Sequence, residues 1–438
     1  MSTIMRMLSS TNSRVRFRSF NSPKAVVGDY AVLSHVWNGI EQSYPGIARL
    51  ERAGAAVNDP RLCFKVRECL RLAQVYHCPW IWMDAPCIDK RSSAEISESI
   101  RSMFKWYSQS SVCFAYLADV PSNSGPIDAP DSAFRRSKYF LRGWTLQELI
   151  APRRVVFLAK DWTVLGEKRE LAGLLEEITG IDADVLTFRH SLSDISVARR
   201  LSWASRRETG RPEDMAYCLM GLFDIHMPVL YGEGGAAFER LQEAILQKIC
   251  DHTLLAWEFP ETPHPSDSSS PSPWPFAPSP AAFERASGLV SVNMQQFVAA
   301  IAPLCEASDR QHPILPSVGP ADHNGIRCHL PILFCGSTPL AVILACREGQ
   351  SPSSYVALAL RSDCPPVNGV YNIGAEARRA TTSTPEQPTS RLLRVNLDHV
   401  ACHMANQAAL AHVAAVQKSA LTLRFMEFYI ASASPCER

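Results

Sequence analysis

Two hydrophobic periods interleave along the first part of the chain. Tyr30-Ala-Val-Leu-Ser-His-Val-Trp37 is a short β-prone run that stops at Asn38-Gly39, a strong turn signal. Beyond it Leu62, Val66, Cys69, Leu70 and Ala73 fall on one stripe of a helix. Trp80 to Met83 predicts a second buried strand, and Ile96, Ile100, Met103, Phe104 and Tyr107 a second amphipathic helix. A third strand is expected over Val112 to Leu117, a short helical element within Leu141 to Pro152, and a fourth strand around Val155 to Leu158. Strand and helix thus alternate, which implies right-handed crossovers and an α/β, doubly wound parallel sheet over residues 30–166.

The flanks read differently. Residues 1–29 lack acids up to Phe20, and Val15 to Arg18 alternate as in a half-buried leader strand, which we prefer to a mitochondrial transit peptide of similar composition. Residues 167–257 read as a helical extension: one helix ends at Gly180, a second begins near Pro212, and Phe238, Leu241, Ile245 and Ile249 mark a third. Eight prolines between Pro260 and Pro280 mark a Pro/Ser-rich linker over 258–284. Residues 285–438 then show short strand patterns at Leu289–Val292, Ile326–Leu330, Leu340–Ala345, Tyr355–Leu360, Leu392–Leu397 and Leu421–Tyr429. These predict a β-rich C-terminal domain of sandwich type, with an alanine-rich helix near Ala401 to Val416.

Composition narrows the function. A formal charge of +1 over 438 residues gives no global attraction to nucleic acid. No apolar run has the length of a membrane span, and the 14 cysteines form no CxxC pair, so we expect reduced thiols in a cytoplasmic protein without a zinc knuckle. His399, His403 and His412 are too loosely spaced for a metal site, and no Walker-type phosphate loop is present. The arginines 199, 200, 206, 207 and 211 could bind phosphate or an acidic partner, but Glu208, Glu213 and Asp214 interleave with them, the more common pattern of a solvated face.

Candidate chemistry gathers at the carboxyl ends of the strands, where a doubly wound sheet binds its ligands. The first strand ends with Ser34, His35 and Trp37; the second ends with Asp84, Cys87 and Asp89. Glu148 sits in the short helical element, flanked by Arg142 and Trp144. Thr145-Leu-Gln-Glu148 also has the spacing of a capping box, in which the two side chains satisfy free N–H groups at a helix start. Pro152 disfavours helical geometry at Ala151, so a helix capped at Thr145 would be little more than a turn long. On the sequence both readings of Glu148 stand. A Cys87 nucleophile with His35 as base and Asp84 or Asp89 as orienter is a lesser alternative, and Asp84 with Asp89 is weak evidence for magnesium.

The segments YAVLSHVWNG, WIWMDAPCIDK and LRGWTLQELIAP, in that order, closely resemble the three blocks of the fungal heterokaryon-incompatibility (HET) domain. The likeness continues through ARRLSWASRRETGRPEDMAYCLMGLFDIHMPVLYGEGG and covers about residues 1–257. Lys90 stands where the family often has glutamine, Tyr139 where tryptophan is common, and Asn38 interrupts the usual Trp-Gly pair. HET domains are similar to Toll/interleukin-1 receptor (TIR) domains, some of which cleave NAD at the nicotinamide bond with a glutamate. The resemblance places that glutamate on Glu148 and implies NAD as a substrate rather than a cofactor. Trp37 or Trp144 would stack on a ring and Arg142 meet the pyrophosphate. It further implies a role in non-self recognition and regulated cell death, with self-association through the HET core or an upstream sensor as partner. The alternative it leaves open is a non-enzymatic signalling module.

Overall fold

A computed structural model describes residues 5–39, 41–258, 276–305, 316–322, 325–335, 338–349, 353–360, 370–372, 392–396 and 421–431. The chain divides into two compact units, Met1–Asp194 with Arg206–Ala237, and Ile195–Ser205 with Phe238–Arg438. The division passes through the stretch 167–257 that the sequence reads as one extension.

The first unit is built on strands β1 (Met5–Ser9), β2 (Phe17–Phe20), β3 (Tyr30–His35), β4 (Trp80–Trp82), β5 (Val112–Tyr116), β6 (Val155–Leu158) and β7 (Val164–Glu167). Its helices include α1 (Tyr44–Arg52), α2 (Phe64–Val75), α3 (Asp84–Cys87), α4 (Ser93–Ser108) and α5 (Trp144–Ile150). The sheet order is β2-β1-β4-β3-β5-β6-β7. The four central strands, those expected from the hydrophobic pattern, are parallel, whereas β1, β2 and β7 add antiparallel edges. The leader thus forms a hairpin that pairs with β4 rather than a single strand, and β7 has no counterpart in the sequence expectation.

Side chains alternate across the sheet. Ala31, Leu33, Ile81, Val112, Phe114, Val156 and Leu158 join Ile47, Val66, Cys69 and Leu70 in one continuous core. On the opposite face Trp82 packs edge-on against Trp106 and Tyr107 of α4, with ring centroids 5.4 and 5.7 Å apart. Ser34 belongs to this second face, and α5 packs there. The chain runs from β3 outward to β4, then returns across β3 to β5, so the topological switch point lies between β3 and β5.

Downstream, α6 (Ala172–Thr179) ends as expected at Gly180, whose φ of 71° is the left-handed conformation glycine tolerates best. Pro212 precedes only a single turn, α9 (Asp214–Tyr217), followed by a 3-10 turn at Met220–Leu222.

In the second unit, α10 (Ala236–Lys248) fulfils the third expected helix. The six strand patterns all appear, in β8 (Leu289–Ser291), β10 (Gly325–Cys335), β11 (Thr338–Glu348), β12 (Ser354–Ala359), β14 (Leu392–Asn396) and β15 (Leu421–Ala431), joined by β9 (Ser317–Asp322) and β13 (Val370–Asn372). Among the described residues they form one eight-stranded, mainly antiparallel sheet rather than a sandwich. Phe297 and Ile301 of helix α11 (Met294–Ile301) cover Ile343, Tyr355 and Ala357. Most of the linker, the helix expected near 401–416, and His399, His403 and His412 lie outside the described residues.

Candidate functional site

The helix α5 has seven residues, too few to persist on its own, and it is held by its surroundings. Every residue from Thr145 to Ile150 is buried. Its last carbonyls are gathered by the buried Lys168, whose ammonium donates to Leu149 O at 3.1 Å, Ile150 O at 3.4 Å and Pro152 O. Burial lowers its pKa to about 7, so its N–H donors satisfy the orphan acceptors throughout and, when protonated, it also opposes the helix dipole's negative end. This lets Ala151 keep helical angles, φ −64° and ψ −43°, despite Pro152.

The capping box does not form. Gly143 occupies the N-cap, and no side chain caps the helix. The Thr145 hydroxyl instead faces backward onto the carbonyls of Tyr139 and Arg142, and accepts from Arg207 Nη1 at 3.1 Å. Arg207 also donates to Arg142 O at 2.9 Å. Arg207 and Arg200 are buried whereas Arg206 and Arg211 are exposed, so the arginine cluster is a solvated face only in part.

Freed from capping, Glu148 points at the sheet. Its Oε2 accepts from Ser34 Oγ at 2.6 Å, at the carboxyl end of β3. Ser34 Oγ also lies 2.8 Å from the Tyr139 hydroxyl. When Glu148 is ionised, Ser34 gives it its one proton and Tyr139 in turn donates to Ser34, a short relay into the carboxylate. Glu148 is only 6% exposed. Burial pushes its pKa up from 4.5 to about 8; the Ser34 bond works against this, nearby Asp84 reinforces it, and Arg142 again opposes it.

The carboxylate opens into a pocket of about 490 Å³, ample for a nucleotide-sized ligand. His35, Trp37, Asp84, Arg142 and Trp144 line it with Glu148, so six of the nine residues singled out in the sequence share its wall. Ser34 supports Glu148 from behind. Cys87 and Asp89 are not part of the lining. Cys87 is buried, and desolvation raises its thiol to about 12, which suits no nucleophile at neutral pH. His35 faces Glu41 instead, 3.5 Å away. Burial alone would raise the Glu41 carboxyl, but His35 and Lys65 hold it down at about 2. Asp89 is engaged by Arg91 through two bonds of 2.9 and 2.7 Å, away from Asp84. Neither the cysteine triad nor a paired-aspartate metal site is assembled, and among the described residues no cluster of three or more such ligands exists.

Lys90, Tyr107, Arg211, Asp214 and Tyr231 add polar groups to the wall, with apolar side chains such as Ile96 and Met103 between them. Tyr107 fixes the end of β3 by donating to Leu33 O at 2.7 Å. Tyr231 donates to Asp214 at 2.9 Å and carries the Arg211 guanidinium 4.4 Å above its ring. Burial raises Asp214 as well, against its bond from Tyr231. Glu213 holds this wall in place by accepting from Gly232 N at 2.7 Å and Gly234 N at 3.1 Å. Within Gly210 to Tyr231 the sequence singles out only Arg211, as one of the arginine cluster; the close approach of this segment to α5 shows at Gly143, whose Cβ would meet Thr209 Cγ2 at 2.5 Å.

The first unit is thus of the doubly wound α/β class, with a buried acid, aromatics and guanidinium groups around one pocket at the carboxyl end of β3. Within that class, residues 30–130 match the family model described as Heterokaryon incompatibility protein (HET), and the chain carries a HET domain. Residues 236–338 match a Domain of unknown function (DUF8212). The chain is 41% identical over 230 residues to Vegetative incompatibility protein HET-E-1 of Podospora anserina, a stretch covering 51% of this chain and 16% of that protein. No solved structure matches. Among the described residues no helix is long and apolar enough to cross a membrane.

Proposed function

We propose that this chain is an effector of vegetative incompatibility whose HET domain cleaves NAD at the nicotinamide–ribose bond, with Glu148 as the catalytic carboxylate. The observation that carries the reading is Glu148 itself: a carboxyl released from helix capping and aimed from α5 into a pocket at the carboxyl end of β3. Cleavage builds positive charge on the ribose, as in other glycosidic bond breakages. A buried, oriented carboxylate stabilises that charge, nicotinamide leaves neutral without an acid, and water adds to C1′ of the ribose and gives up a proton. Asp84 and Glu148 favour a cationic pyridinium, Trp37 and Trp144 offer ring faces, and Arg142 with Arg211 suits phosphate. A cation entering beside Glu148 drives off its proton, so binding itself produces the ionised form.

The relation to HET-E-1 supports the incompatibility role, and a sensor partner or clustering through the HET domain fits it. A non-enzymatic module remains the second reading, favoured by the pKa near 8, which leaves the acid mostly neutral at pH 7 and already bonded to Ser34. Nicotinamide release from NAD by the full chain, compared with Glu148→Gln, separates the two. Glutamine still accepts from Ser34 but has no charge. Release by the wild type and loss in the folded variant supports catalysis; equal release, or none even when the protein is clustered, removes it.

A further inference from the structure

The mouth of the pocket is already occupied by a cation from the chain itself. Lys90 lays its ammonium 3.4 Å from the centre of the Trp37 ring. Trp37 is held for this contact by its own indole N–H, which donates to Asp84 Oδ2 at 2.9 Å. The other oxygen, Asp84 Oδ1, is buried and has no hydrogen-bond partner. All three residues line the same cavity as Glu148. An aromatic face backed by one carboxylate and neighboured by a second is the chemistry that receives an organic cation.

We propose that Trp37 and Asp84 form a seat for a flat aromatic cation of the pyridinium class, and that Lys90 fills this seat from within until such a ligand displaces it. The lysine is a tethered competitor. Its contact is of the exposed kind, whose strength corresponds to a two- to five-fold handicap on any ligand needing the same ring face. Asp84, bonded to the indole N–H, attracts whichever cation lies on that ring, and a flat ring covers more of the indole than an ammonium does. Lys90 then swings to solvent, which its exposed position allows. This concerns binding and holds whether or not Glu148 breaks a bond.

The test is equilibrium binding of 1-methylnicotinamide, a pyridinium without phosphate, to the full chain, read by quenching of tryptophan fluorescence and checked by calorimetry. Lys90→Gln keeps a polar side chain of similar length without charge and is expected to bind about two- to five-fold more tightly than wild type. Lys90→Met, a second variant, is expected to do the same, and Trp37→Leu to bind weakly in either background. ADP-ribose, which has phosphates and no pyridinium, serves as the opposite probe and should gain nothing from losing Lys90. Unchanged or weaker 1-methylnicotinamide binding in both Lys90 variants overturns the proposal, as does no detectable binding to any of the proteins. A loss confined to ADP-ribose makes Lys90 a phosphate ligand and overturns it equally. Because no turnover is read, these outcomes are independent of nicotinamide release from NAD.

Discussion

Replacing Glu148 by glutamine should make the protein more stable, and only at higher pH. In the unfolded chain the carboxyl ionises near its ordinary 4.5, whereas in the fold burial delays ionisation to about 8. The sign follows from linkage: below 4.5 the group is neutral in both states and has no effect on stability. Between 4.5 and about 8 the unfolded state alone loses the proton, so stability falls as pH rises, and above about 8 the loss is complete. At about 1.4 kcal/mol for each pH unit, that interval caps the penalty at about 5 kcal/mol. Glutamine preserves the Ser34 bond and never ionises. Urea denaturation of the full chain at pH 5, 6, 7 and 8, followed by the buried indoles of Trp82 and Trp106, measures the difference. The variant should gain least at pH 5, by about 1 kcal/mol or less, and progressively more above it, by half the ceiling or more at pH 8, worth about 5 °C or more in melting temperature. An offset independent of pH, or a wild type more stable than the variant at pH 8, would refute the buried-acid account.

Other expectations concern the same helix and its neighbours. Ser34→Ala removes the bond that favours ionised Glu148, so the acid limb of nicotinamide release should move to higher pH while the fold persists. Wild-type release should itself rise with pH toward about 8 at low NAD, because only the ionised carboxylate serves the reaction. Lys168→Met strands the carbonyls at the end of α5 and should cost about 2 kcal/mol or more in urea denaturation. Release should fall in the folded fraction too, since Glu148 loses its fixed support. Gly221→Ala forces a Cβ to 2.3 Å from Phe104 Cβ, and should destabilise by about 1–3 kcal/mol, seen as a lower urea midpoint.

The central sheet was legible because parallel strands buried on both faces read as short apolar runs, and their helices keep a clean 3.6-residue stripe. The strands of the second unit were legible for a similar reason, but whether they form one sheet or two is a matter of partners that lie far away in sequence. Capping shows the limit most clearly. Ser92 to Glu95 has the same Ser/Thr-x-x-Glu spacing as Thr145 to Glu148, and Ser92 does cap α4, accepting from Glu95 N at 3.2 Å. Thr145 does not, because the carbonyls of Tyr139 and Arg142 and the guanidinium of Arg207 claim its hydroxyl first. The rim residues of β3 and β4 could be found from topology alone. The wall around Asp214 and Tyr231 could not, since nothing local records that Glu208 pairs with Gly143 across a 2.8 Å backbone bond.

That pairing bears on how such a module can be moved between proteins. The signature match ends at residue 130, ahead of Glu148, β6, Lys168 and the wall from Gly210 to Tyr231. A chimera spliced at those borders would inherit the rim of the site without its acid, and would leave β5 as an open edge seeking another strand. Even a splice after β7 would carry Glu148 on a helix whose carbonyls lack Lys168 and whose pocket lacks its far side. The transferable unit is therefore discontinuous in sequence: it closes only when the chain has returned, beyond Ser205, to finish what Ser34 began.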